Sequence, residues 1–144
     1  MKTILRALLL LAASGAASAH TTVKDAWVRG TVPQQMATGM FGQITHTRGG
    51  KLVSASSPAA ADVQIHEMAM SGDVMKMREV ASVELPAGKP VDLKPGGHHI
   101  MLMGLKQPLK AGDIVSVTLV IMAANGKRET VEVKAPVRAL AGKP

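Results

Sequence analysis

A chain of 144 residues that is 47% hydrophobic, carries 17 Lys+Arg against 10 Asp+Glu for a formal charge of +7, and has no cysteine fits one globular domain without disulfides. The missing thiol also excludes a thioredoxin-type redox pair, a cysteine nucleophile, a zinc-finger cluster and a His₂Cys blue-copper centre. One Trp, one Phe and no Tyr leave little to stack on nucleobases, whereas 10 Met beside 5 His make thioether sulfur the surplus.

The first element is an export signal. Lys2 and Arg6 precede the apolar run Ala7-Leu8-Leu9-Leu10-Leu11-Ala12-Ala13, and Ala17-Ser18-Ala19 has the small-residue pattern of a cleavage site. The run falls well short of the ~20 residues a transmembrane helix needs. Residues 1–19 therefore read as a cleaved signal peptide, and His20–Pro144 as one soluble, periplasmic domain. Without Lys2 and Arg6 the formal charge falls by two, and the remaining basic residues are dispersed. That is the pattern of ordinary solubility and not of a nucleic-acid surface.

Beyond residue 20, runs of Val, Ile, Leu, Thr and Met are broken by Arg48-Gly49-Gly50, Ser71-Gly72-Asp73, Pro86-Ala87-Gly88, Pro95-Gly96-Gly97, Ala111-Gly112-Asp113 and Asn125-Gly126. Short alternating runs with turn signals at such intervals predict an all-β sandwich. The expected strands are Asp25–Gly30, Gly39–His46, Lys51–Ala55, Val63–Met70, Val74–Val80, Val91–Leu93, His98–Met103, Ile114–Met122 and Arg128–Lys134. Asn125-Gly126 marks the clearest hairpin, because both residue types tolerate the positive φ of a tight turn. Ala59–Asp62 has room for a brief turn only, since Pro58 precedes it and period-2 alternation follows. Pro136–Pro144 is expected to be a loose tail.

Alternate side chains of a strand point to opposite faces, so His66, Met68 and Met70 share a face, as do His99, Met101 and Met103, and Met75 and Met77. Ile65, Ile100 and Leu102 take the other parity, which already supplies a core face. A His-x-Met pair on an extended strand has α-carbons ~6.6 Å apart, close enough for both side chains to reach one ion. Thioethers are poor ligands for hard cations, imidazole is borderline, and two of each add no negative charge, so the set selects Cu(I) over Cu(II). One methionine taken alone is more often core filler. Here Met68, Met70, Met75, Met77, Met101 and Met103 cluster in sequence and share parity with a histidine where the strand has one. His98 lies opposite in parity to His99 and Met101, and His46 has no neighbouring donors, so both read as structural.

The spacing of His66, Met77, His99 and Met101, H-x₁₀-M-x₂₁-H-x-M, resembles the signature of the PCuAC family of periplasmic copper chaperones. Ile65-His66-Glu67-Met68, Val74-Met75-Lys76-Met77-Arg78, Leu93-Lys94-Pro95-Gly96-Gly97-His98-His99-Ile100-Met101-Leu102-Met103-Gly104-Leu105, Pro108-Leu109, Ala26-Trp27-Val28-Arg29 and Ala37-Thr38-Gly39 resemble it too, so the likeness covers essentially the whole mature chain. The resemblance implies a Greek-key, cupredoxin-like β-sandwich with Cu(I) held by His66, Met77, His99 and Met101. It further implies delivery of copper to the Cu(A) centre of cytochrome c oxidase, alongside Sco-type proteins. Some relatives bind a second, Cu(II), ion on a C-terminal extension rich in His and Met. Val133–Pro144 contains neither residue, which argues against expecting that activity here, although a chain beginning at His20 would offer an α-amine and an imidazole to Cu(II).

A carrier of this kind works by ligand exchange, and no bond chemistry on a substrate is required, so it is not expected to be an enzyme. Met68, Met70, Met75 and Met103 would rim the site as docking surface and substitute donors, and copper affinity is expected to fall as pH drops through the histidine range near ~6.5. Two other readings fit the same residues: copper buffering for resistance, and a metal-free β-sandwich used for protein contact. A monomer is the default expectation.

Overall fold

Apolar and polar residues alternate along most of the sequence beyond residue 20, and the computed structural model, which describes residues 20–139, turns those runs into strands throughout. In chain order these are β1 (Thr21–Arg29), β2 (Ala37–His46), β3 (Gly50–Ser56), β4 (Ala60–Ser71), β5 (Val74–Glu79), β6 (Val83–Leu85), β7 (Val91–Leu93), β8 (His99–Leu105), β9 (Ile114–Ala123) and β10 (Arg128–Arg138). They pair in the order β5-β4-β8-β2-β1-β10-β9-β3-β6. β7 and β8 share one side of β2, β8 against Ala37–Met40 and β7 against Gly42–Ile44.

Every pairing between these strands is antiparallel except β1 with β10, whose register consists of Val28↔Val137 and Arg29↔Arg138 alone. At this narrow junction the path of strands folds over. One half, β5-β4-β8-β2-β1 with β7, packs its inner face on the other half, β10-β9-β3-β6, and the result is the expected all-β sandwich. Val28, Ile44, Ile65, Ile100 and Leu102 from the first half meet Leu52, Val117, Leu119, Ile121 and Ala135 from the second in a single core. The parity that buries Ile65, Ile100 and Leu102 turns His66, His99 and Met101 to the outer face of the first half. No helix among the described residues is long and apolar enough to cross a membrane.

Several boundaries differ from expectation for local reasons. Ala60–Asp62 is strand and not turn: the turn closes one step earlier, with the Ala60 N–H donating to the Ser57 carbonyl at 3.4 Å, and Ala60 and Asp62 then pair with Leu105 and Met103. Pro136–Arg138, expected to belong to a loose tail, is strand instead, because Pro136 pairs with Ile114 and the Val137 N–H donates to the Asp113 carbonyl at 2.8 Å. Residues 140–144 and the signal peptide reading at residues 1–19 lie outside the described residues. The loop at Asn125-Gly126 spans three residues, with Ala123 and Lys127 as its closing pair and only Gly126 at positive φ, 84°. This is a type I turn followed by a glycine bulge. Val83–Leu85 is a strand too short for alternation to reveal, and His98 precedes β8, its carbonyl accepting from the Lys94 N–H at 2.9 Å.

Candidate metal centre

Residues directly opposite on paired strands share a face. Across the outer face of the first half, register therefore sets Glu79 of β5, His66 of β4 and His99 of β8 in one row. In the adjacent rows Met77 lies opposite Met68, and Met101 lies between Gln64 and Gly39. The two imidazole rings are 5.7 Å apart between centroids. Met68, Met77, His99 and Met101 line a common cavity of about 300 Å³ with Phe41, Arg29 and the Pro95-Gly96 loop. The structure thus gathers Met77, His99 and Met101 around one space and sets His66 against His99 at its side. Met68 lines the same cavity as Met77, His99 and Met101, whereas His66 does not line it, and Met70 and Met75 lie farther out as exposed thioethers on the β4–β5 hairpin.

Each ring has one nitrogen occupied. His99 Nδ1 lies 3.1 Å from the Gly97 carbonyl, which only accepts, so Nδ1 carries the proton and Nε2 keeps its lone pair. His66 Nε2 lies 2.9 Å from Gln64 Oε1, and its Nδ1 is buried without a partner. An unpaired buried nitrogen costs free energy unless something binds it. Burial, and next the neighbouring His99, push the His66 pKa below its ordinary value, opposed by the Glu79 carboxylate. Both effects keep the ring neutral, the form a metal requires. Among the described residues no three histidine or carboxylate side chains come together to hold an ion, and the thioethers of Met68, Met77 and Met101 line the cavity with His99.

An aromatic wall supports His99. The Phe41 ring lies 6.1 Å from it and 4.7 Å from Trp27, with the Arg29 guanidinium 5.4 Å above Phe41 and that of Arg138 5.2 Å above Trp27. Trp27 faces Phe41 because Asp25, at φ 53°, sits in a bulge that shifts the β1 register between Lys24 and Trp27. Phe41 in turn folds over Gly39, where a Cβ would come within 2.7 Å of its ring. Gly39→Ala is therefore expected to displace Phe41 from His99 and to cost about 1–3 kcal/mol, as overpacking does. Denaturant unfolding measures this, and an unchanged midpoint would mean that the ring yields freely.

The two histidines read as structural are engaged elsewhere. His98 Nε2 lies 3.3 Å from Glu67 Oε2, and the other oxygen of Glu67 accepts from Arg78 Nε at 2.6 Å. Arg78 is the first cause, and His98 a lesser one, of a Glu67 pKa below the usual carboxylate range. His46 is fully buried, its Nδ1 accepting from the Arg48 N–H at 3.2 Å and its Nε2 3.8 Å from Glu129. Nε2 therefore carries the proton, and His46 offers no lone pair to the His20 ring 6.0 Å away. Gln64, Phe41 and Trp27 were absent from the sequence reading of the site. Gln64 has the same parity as His66, a signal that was legible, while the approach of Phe41 and Trp27 to His99 depends on strand order.

Comparison with known proteins agrees with this architecture. The family model described as LpqE-like matches residues 21–137. The protein Lxx21020 of Leifsonia xyli subsp. xyli, which bears a lipoprotein name, is 43% identical over 100 residues, 67% of this chain and 59% of its own length. RP573 of Rickettsia prowazekii is 35% identical over 98 residues, 64% of this chain and 54% of its own. The chain thus spans little more than half the length of either relative. Among solved structures, the apo PCuAC domain from PmoF1 has a TM-score of 0.67 at 23% identity, over 84% of this chain and 95% of that domain, a likeness of fold. Apo DR1885 from Deinococcus radiodurans is 33% identical with a TM-score of 0.62, covering 86% of this chain and 82% of that one. Its Cu(I) form is 32% identical with a TM-score of 0.59, covering 87% and 83%. The cupredoxin-like sandwich and the resemblance to the PCuAC family are borne out. By its sequence this chain belongs to the LpqE-like family, and by its fold it stands with the PCuAC copper-chaperone domains.

Proposed function

We propose that this protein is an exported, periplasmic carrier of Cu(I), which it holds through His66, Met77, His99 and Met101 and surrenders by ligand exchange. The observation that carries this reading is the pair of imidazoles 5.7 Å apart, each with one nitrogen hydrogen-bonded and the other unoccupied, beside a cavity lined by thioethers. Neutral nitrogen and sulfur donors suit a monovalent soft ion and leave no charge to lock in a divalent one. The Cu(I)-bound form of the structural relative DR1885 supports the same cargo.

Exposure favours transfer. Met77 is 47% exposed on edge strand β5, so an acceptor's donors can approach the ion from that side while the buried His99 holds it from beneath. Met70, Val74 and Met75 expose apolar surface at the tip of the β4–β5 hairpin, of the kind that interaction sites present. The acceptor proposed is the Cu(A) site of cytochrome c oxidase or a Sco-type protein serving it. Anaerobic Cu(I) titration against a competing chelator, followed by mixing with an apo Cu(A) domain, tests both steps. Stoichiometric uptake and transfer are expected. Uptake without transfer would favour copper buffering, and no uptake would leave the methionines as packing in a metal-free module.

A further inference from the structure

Asp62, Gln64 and His66 occupy alternate positions of β4 on one face, and their side chains form a hydrogen-bonded chain along the strand. Gln64 Nε2 lies 2.9 Å from Asp62 Oδ2, and Gln64 Oε1 lies 2.9 Å from His66 Nε2. We propose that Gln64, held by Asp62, is a positioning residue that fixes the orientation and tautomer of His66, so that Nδ1 is the nitrogen offered to the ion. The proposal rests on the reading of His66 as a copper ligand and adds how that ligand is prepared.

Each assignment in the chain follows from donor and acceptor chemistry. A carboxylate only accepts, so the amide nitrogen of Gln64 must face Asp62 and its oxygen must face His66. That oxygen also only accepts, so the proton of the neutral ring resides on Nε2. Nδ1 is left with the lone pair, buried and without a partner. His99 is prepared the opposite way: its Nδ1–H donates to the Gly97 carbonyl and Nε2 keeps the lone pair. The two rings therefore keep different nitrogens free, and each is held by a partner that is not itself a ligand. Such outer partners orient a metal-binding imidazole and raise its basicity, and their loss typically costs about 10–100-fold in affinity.

Gln64 serves this purpose because it is bifunctional. Asp62 reaches the amide but has no bond to His66, and register sets Gln64 opposite Met101, beside the other half of the candidate ligand set. Without Asp62 the amide would be free to turn its nitrogen toward His66 and draw the proton to the wrong side of the ring. The pair thus acts as a polarity relay, carboxylate to amide to imidazole.

The apo protein and Cu(I) uptake test the proposal separately. Long-range ¹H–¹⁵N spectra of the apo wild type should show His66 protonated at Nε2 only. In Gln64→Leu the His66 signals should move toward the average of the two tautomers, and Cu(I) affinity should fall about 10-fold or more. The double variant Asp62→Asn, Gln64→Glu reverses the polarity of the first bond but keeps an acceptor on His66. It should restore both the spectrum and the affinity to within a few-fold of wild type, which loss of packing alone would not produce. A wild-type spectrum with His66 protonated at Nδ1, or a Gln64→Leu variant that binds Cu(I) as tightly as wild type, would overturn the proposal. Should His66→Ala bind as tightly as wild type, the copper reading of His66 falls and the proposal with it, even if the spectrum shows the clamped tautomer.

Discussion

Replacing His99 and Met101 together by alanine is expected to abolish stoichiometric Cu(I) uptake and to leave the sandwich folded. The two residues alternate on β8 with Ile100 and Leu102, both fully buried in the core, and point the other way. Truncation therefore removes one imidazole and one thioether from the outer face without hollowing the core between the sheets. What is left, His66, Met77 and Met68, no longer includes the buried donor beneath the cavity. The loss should exceed the roughly 10–100-fold that removal of an outer-shell partner causes, because a donor itself is gone. Anaerobic competition titration reads the affinity, and thermal unfolding followed by circular dichroism reads the fold. Met103→Ala is the control: Met103 shares the strand and the parity but pairs with Ala37 and Asp62 and does not line the cavity, so binding should change only slightly. Unchanged uptake in the double variant would remove β8 from the site.

Copper retention should extend to a lower pH at His66 than at an ordinary histidine. Burial first, and the facing His99 second, lower the His66 pKa from its usual value near 6.5, while Glu79 opposite it acts in the other direction. Cu(I) and a proton compete for the same ring, so a lowered pKa delays the competition. The His66 contribution to affinity is expected to stay flat as pH falls through about 6.5 and then to decline, by up to about tenfold per pH unit, below the lowered value. The decline through ~6.5 expected from unperturbed histidine is thus displaced toward acid for this residue. For the apo protein the sign is that of a depressed folded-state pKa. The unfolded chain takes up the proton first, so the contribution to stability is complete above about 6.5, is lost as pH falls from there to the folded value, and is constant below it. Glu79→Gln removes the opposing carboxylate and should lower the pKa further. Titration of the His66 ring protons by nuclear magnetic resonance in wild type and Glu79→Gln checks both statements. A His66 pKa at or above the ordinary value in wild type would refute the first, and a pKa raised by Glu79→Gln the second.

Alternation alone determined much of this protein. His66, His99 and Met101 have the parity opposite to Ile65, Ile100 and Leu102, and that single fact put the donors on an outer face and the aliphatics in the core. The same rule, with glycine-rich turns between runs, gave an all-β sandwich and most of the strands, because a side-chain period of two is a local property of extended backbone. Boundaries failed where a long-range partner decides them: Ala60–Asp62 and Pro136–Arg138 are strand because β8, β9 and β1 lie beside them. Which strands are neighbours was likewise beyond local pattern. That β4 meets β8 with His66 against His99, and that β1 and β2 bring Trp27 and Phe41 alongside, depends on the folded path of the whole sheet. Only the tertiary structure shows which nitrogen of each ring is occupied, because Gly97 and Gln64 act through hydrogen bonds whose direction is set by the positions of the atoms and not by their order in the chain.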